Sequence, residues 1–60
     1  MSELLRGLVG SQVRVYSIQG QSEASDTGLL EAFDDNWVCL NQDGERLYFS
    51  VHRIRLIKPV

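Results

Sequence analysis

The sequence predicts a mostly β domain in which a short N-terminal helix precedes five short antiparallel strands in one strongly bent sheet. A chain of 60 residues has room for a single small domain. Much of it alternates apolar and polar residues over short segments, which is typical of half-buried strands, and turn residues separate these segments. Because an open sheet would expose two edge strands, we expect the sheet to close on itself as a barrel.

The helix is predicted at residues 2–9. Ser2 suits the N-cap position, and Gly10 suits the left-handed conformation that ends many helices. The apolar residues of this segment fall on one helical face: Leu4, Leu5 and Leu8. A helix this short is unstable alone, so its apolar face is expected to pack on the sheet.

The strands are predicted at residues 12–18, 27–34, 37–42, 45–51 and 54–58. In the first strand Val13 and Val15 share one face, and polar or aromatic residues take the other. The segment Gln19–Thr27 is polar and lacks apolar periodicity, so we predict an exposed loop there. Turn residues at 34–36 separate the second and third strands, and Asp43–Gly44 is a strong hairpin signal between the third and fourth.

Charge is segregated along the chain, although the net charge is only −2. Every charged residue from Glu23 to Glu45 is acidic, and every one from Arg46 onward is basic. This pattern predicts either one acidic and one basic region, which head-to-tail subunits can use, or ordinary solvated faces. The negative net charge argues against indiscriminate binding of polyanions, because affinity for phosphate comes from lysine and arginine side chains.

Enzymatic, metal-binding and membrane classes find no support in the sequence. Cys39 is the only cysteine and His52 the only histidine, so neither an intrachain disulfide nor a four-ligand zinc site is predicted. No catalytic constellation appears, and we expect neither a cofactor nor a small-molecule substrate. Without a signal peptide or an apolar run of about 18 residues, the cytoplasm is the expected location. Oligomerisation is the expected source of additional stability.

The segment Gly28–Asp34 resembles the first motif of the Sm family. That motif has a glycine permitting sharp strand bending, alternating apolar residues, and an aspartate before a turn and another apolar strand. The spacing from Gly28 to Leu40 is most similar to the bacterial host-factor (Hfq) branch of Sm-like proteins. Residues 47–54 resemble the second motif, with His52 displaced by one position from the family's histidine. The resemblance implies a single Sm-like (SH3-like) barrel over residues 1–60.

The resemblance also implies a homo-oligomeric ring in which the fourth and fifth strands of neighbouring subunits pair. Turn residues would then line the pore and bind single-stranded RNA: Asp35, Asn36, His52 and Arg53. An asparagine amide can read a base edge, and histidine and arginine can stack on bases or contact phosphate. Each residue also has a plainer explanation, because the first two suit a turn, His52 suits a structural role and Arg53 suits a solvated face.

The predicted subunit interface contains exposed aromatic and apolar residues: Trp37, Tyr48, Tyr16, Ile54 and Leu56. The two tyrosines fall on the face opposite the core residues of their strands, and tyrosine is enriched at interfaces. Trp37 suits three uses, namely stacking, an interface contact or capping one end of the core. The alternatives to an RNA-binding ring are an SH3-like module that holds a peptide or subunit, and a purely structural assembly.

Overall fold

The computed structural model describes residues 3–60 and contains one short helix, five strands and one 3₁₀ turn. The elements in chain order are α1 Glu3–Arg6, β1 Gln12–Gln19, β2 Ser22–Phe33, β3 Trp37–Gln42, β4 Glu45–Ser50, the 3₁₀ turn Val51–Arg53 and β5 Ile54–Pro59. The prediction of a mostly β chain with five antiparallel strands behind a short helix is confirmed. Four of the five strands agree with the predicted bounds to within one residue.

All five strands belong to one sheet in the order β4-β3-β2-β1-β5, and each neighbouring pair is antiparallel. The 3₁₀ turn redirects the chain after β4, so that β5 pairs with β1 at the opposite edge of the sheet. Within residues 3–60, β4 and β5 do not pair with each other. The sheet is therefore not closed, and the predicted closure into a barrel is not confirmed.

The predicted loop at Gln19–Thr27 is wrong, because β2 begins at Ser22 and forms a tight hairpin with β1. Gly20 has φ 63°, which fits the first central position of a type II′ turn. From Ser22 onward each residue of β2 pairs with β1, as far as Leu29 opposite Gln12. Most side chains of this arm face solvent, so backbone pairing forms the strand without an apolar alternation.

The helix is shorter than predicted, and the predicted cap at Ser2 lies outside the described residues. Helix α1 ends at Arg6 and turns follow as far as Gly10, whose φ of 91° matches the predicted left-handed stop. The predicted apolar face is only partly used, since Leu8 packs against the core whereas Leu4 is 85% exposed. The glycine at position 7 disfavours helix continuation, because glycine loses more backbone entropy than other residues.

One side of the sheet carries the core. Its fully buried side chains are Val13, Val15, Leu30, Val38 and Leu40. Half-buried residues of β4 and β5, among them Leu47, Phe49 and Ile57, pack against this cluster. The opposite, outer side carries Tyr16 and Tyr48, as the strand alternation predicts. Among residues 3–60, no helix has the length and apolar content that crossing a bilayer requires.

Candidate nucleic-acid interface

Two turns that are distant in sequence meet at one end of the sheet. The backbone N–H of Val51 donates a 2.9 Å hydrogen bond to the carbonyl oxygen of Asn36. This bond joins the turn between β2 and β3 to the 3₁₀ turn between β4 and β5. Asn36, His52 and Arg53, which were predicted as nucleic-acid contacts, are all exposed there. We call the surface formed by these three residues the turn cluster.

The first turn is fixed by the side chain of Asp34. Its Oδ1 accepts hydrogen bonds from the backbone N–H groups of Asn36, at 2.7 Å, and of Trp37, at 2.8 Å. These bonds lower the pKa of Asp34 below its ordinary value, the one from Asn36 contributing most. The carboxylate is therefore ionised at neutral pH and holds the turn in shape. Asp35, the fourth predicted contact, is exposed in the same turn.

The second turn is fixed by a residue that the sequence analysis did not select, Ser50. Its Oγ accepts a 3.3 Å hydrogen bond from the backbone N–H of His52. The backbone N–H of Ile54 closes the turn on the carbonyl oxygen of Val51. A serine two residues before a turn residue is a local sequence signal for this geometry. The contact fixes the backbone that presents His52 and Arg53.

The predicted interface residues are spread over several parts of the sheet. Tyr48 lies on edge strand β4 and is 64% exposed, and Leu56 lies on edge strand β5 and is 42% exposed. Tyr16 lies on the interior strand β1 opposite Leu56, with the Arg55 guanidinium 5.7 Å from its ring centroid. Ile54 is half-buried and packs against the core. Both edge strands of the sheet therefore expose a large apolar side chain.

Ion pairs across the sheet cancel part of the charge segregation. The acidic segment contributes Glu31 and Glu23, which bind Arg46 and Arg55 of the basic segment. The ion pairs within residues 3–60 do not include Arg53. The predicted acidic and basic regions are thus partly offset by contacts between them, whereas Arg53 lies outside these ion pairs.

A small pocket lies beside the turn cluster on the outer side of the sheet. It encloses about 150 Å³ and is lined by Ala32, Phe33, Asp34, Trp37, Cys39 and Tyr48. Trp37 borders this pocket and is 51% exposed. Cys39 is buried at the pocket, and the described residues contain no group of three or more potential metal ligands.

Comparisons of the chain with protein-family models, with curated proteins and with solved structures gave no match. The Sm-like resemblance stays a prediction that rests on the sequence motifs.

Proposed function

We propose that the protein assembles through its edge strands into a homo-oligomeric ring and binds single-stranded RNA at the turn cluster. The observation that carries the RNA part is the hydrogen bond between Val51 and Asn36. It joins two separate turns that carry an exposed amide, an exposed imidazole and an exposed guanidinium.

Assembly is supported by the chemistry of the two edges. Unpaired edge strands present backbone donors and acceptors to any strand that can add to them. A register that sets Leu47 of β4 opposite Ile57 of a neighbouring copy would also set Tyr48 opposite that copy's Leu56. Leu47 and Ile57 both face the core side, whereas Tyr48 and Leu56 are both exposed. Pairing in this register extends the core and sets the two exposed apolar side chains next to each other on the outer side of the sheet.

RNA binding is supported by the three side chains of the turn cluster. Unstacked bases can lie on the planes of His52 and Arg53, while the Asn36 amide can hydrogen-bond to a base edge. A single copy offers one such site with little positive charge. A ring repeats the site at fixed spacing, so that weak contacts add up along one strand.

The test is a titration of a fluorescein-labelled 20-nucleotide single-stranded RNA with the wild-type protein, followed by anisotropy at several salt concentrations. The affinity of the wild type is expected to fall with added salt. Arg53→Ala is expected to weaken binding and to reduce the salt slope by about one per phosphate contact removed. Arg6→Ala, which removes an exposed arginine from α1, is the matched control. Equal effects of the two substitutions, or no binding by the wild type, would contradict the assignment.

A further inference from the structure

The pocket beside the turn cluster, which we call the aromatic pocket, faces away from the core. Along β3, Trp37 and Cys39 alternate with the core residue Val38, and along β4 Tyr48 lies between two core-facing residues. The pocket is therefore a feature of the outer surface, open to solvent.

The strand register explains why a depression forms there. Ala32 pairs with Cys39, and Cys39 pairs with Tyr48, so two small side chains lie next to a large one. Trp37 follows at the end of the same strand. The fold leaves Trp37 and Tyr48 largely exposed, and their rings border a space that the small side chains do not fill.

The electrostatics of the aromatic pocket favour a cation. The faces of Trp37 and Tyr48 carry negative electrostatic potential, which attracts ammonium and guanidinium groups. Asp34 is one of the lining residues, and two backbone N–H groups hold its carboxylate in place. The molecule uses the same chemistry elsewhere, where Arg55 lies over the ring of Tyr16 and also binds Glu23.

We propose that the aromatic pocket binds the side chain of an arginine presented by a basic peptide segment of another protein. The planar guanidinium can stack on Trp37 or Tyr48 while it donates hydrogen bonds to Asp34, which a lysine ammonium cannot do in the same way. This interaction requires neither ring assembly nor RNA, so it stands apart from the proposed function.

The test uses the peptide acetyl-Gly-Arg-Gly-amide, with acetyl-Gly-Gln-Gly-amide as the uncharged counterpart. Trp37 is the only tryptophan, so its indole N–H resonance in a ¹H–¹⁵N NMR titration reports on the pocket without ambiguity. The arginine peptide is expected to shift this resonance saturably, and the glutamine peptide to leave it unchanged. Added salt is expected to weaken the arginine peptide's binding.

Asp34→Asn is the decisive variant, because its amide oxygen can still accept the two backbone hydrogen bonds that shape the turn. The loss of the negative charge is expected to weaken binding of the arginine peptide about fivefold, and Tyr48→Ala to weaken it by a similar factor. Asp43→Asn removes the same charge from the hairpin turn between β3 and β4 and is expected to leave the affinity unchanged.

Three results would overturn the proposal: equal binding of the two peptides, unchanged affinity in Asp34→Asn, or a saturable Trp37 shift with oligouridine and none with the arginine peptide. The last result would assign the pocket to base stacking. A protein that is monomeric and fails to bind RNA, yet binds the arginine peptide as described, would contradict the proposed function alone.

Discussion

Gly28 lies in β2 at a position where β3 leaves no room for a side chain. A Cβ atom at this position would lie 2.6 Å from the carbonyl oxygen of Asn41 and 3.1 Å from Cγ of Leu40. Gly28→Ala therefore forces the two strands apart and is expected to lower the free energy of unfolding by about 1–3 kcal/mol. Urea denaturation at fixed protein concentration measures the change.

Gly7→Ala is the control for this substitution. A Cβ there meets only the carbonyl oxygen of Leu4, at 3.7 Å, and the backbone of Gly7 does not have a positive φ. Alanine at position 7 is expected to leave stability unchanged or to raise it by up to about 1 kcal/mol. A Gly28→Ala protein as stable as the wild type would contradict the close approach of the two strands.

Glu31 ties three strands together on the outer side of the sheet. From β2 its Oε2 accepts a 3.0 Å hydrogen bond from Nδ2 of Asn41 on β3, and its Oε1 accepts a 2.7 Å bond from Nε of Arg46 on β4. The bond from Asn41, followed by that from Arg46, lowers the pKa of Glu31 below its ordinary value of 4.5. A carboxylate with a depressed folded-state pKa stabilises the fold above its unfolded pKa and loses this effect as pH falls through the folded value.

The sheet is therefore expected to lose stability on acidification below about pH 5, and Glu31→Gln is expected to make this loss shallower. Thermal unfolding followed by circular dichroism across the acidic range measures it. Any pH dependence of stability that remains in the Glu31→Gln protein is expected to come from Asp34, whose pKa is also lowered. Glu45→Gln, an exposed glutamate of β4, is the control. If both glutamine variants follow the wild-type pH profile, Glu31 does not couple the strands.

At the scale of elements, alternation identified four strands and the second half of β2, and it missed the polar first half of β2. Val13 and Val15 mark β1 clearly, because they point into the core. The first half of β2 is polar, and only its pairing with β1 makes it a strand, which is a tertiary effect that no local pattern shows. Gly20 was the available signal, since a Gly-X pair can form a type II′ turn.

The sequence was enough to select the residues of the candidate site, but it was less informative about how these residues are arranged in space. Asn36, His52 and Arg53 were selected from two separate turns by the Sm-like resemblance, and the structure brings those turns together through a backbone hydrogen bond. The support from Ser50 escaped selection because a single serine is a common residue. The aromatic pocket depends on which side chains pair across β2, β3 and β4, and this register follows from the fold as a whole.

At the scale of the whole molecule, the main feature is that both edge strands of the sheet, β4 and β5, have one unpaired edge each within residues 3–60. A 60-residue chain buries only about 60% of the surface that its unfolded form exposes, so its own core gives marginal stability. Strand addition between copies would supply further burial at β4 and β5, where the isolated chain exposes Tyr48 and Leu56. Stability should then rise with protein concentration, because association favours the folded state by mass action.

The native mass of the wild type, measured by light scattering after size-exclusion chromatography, is expected to be several times the 6.8 kDa of one chain. Leu56→Lys places a charge on the exposed side of edge strand β5 and is expected to shift the mass towards one chain, because charged side chains oppose edge pairing. Ile18→Lys is the matched control, since Ile18 is similarly exposed, at 38%, but lies on interior strand β1. A monomeric wild type would contradict the ring and leave the turn cluster as a single site without the repetition that RNA affinity requires.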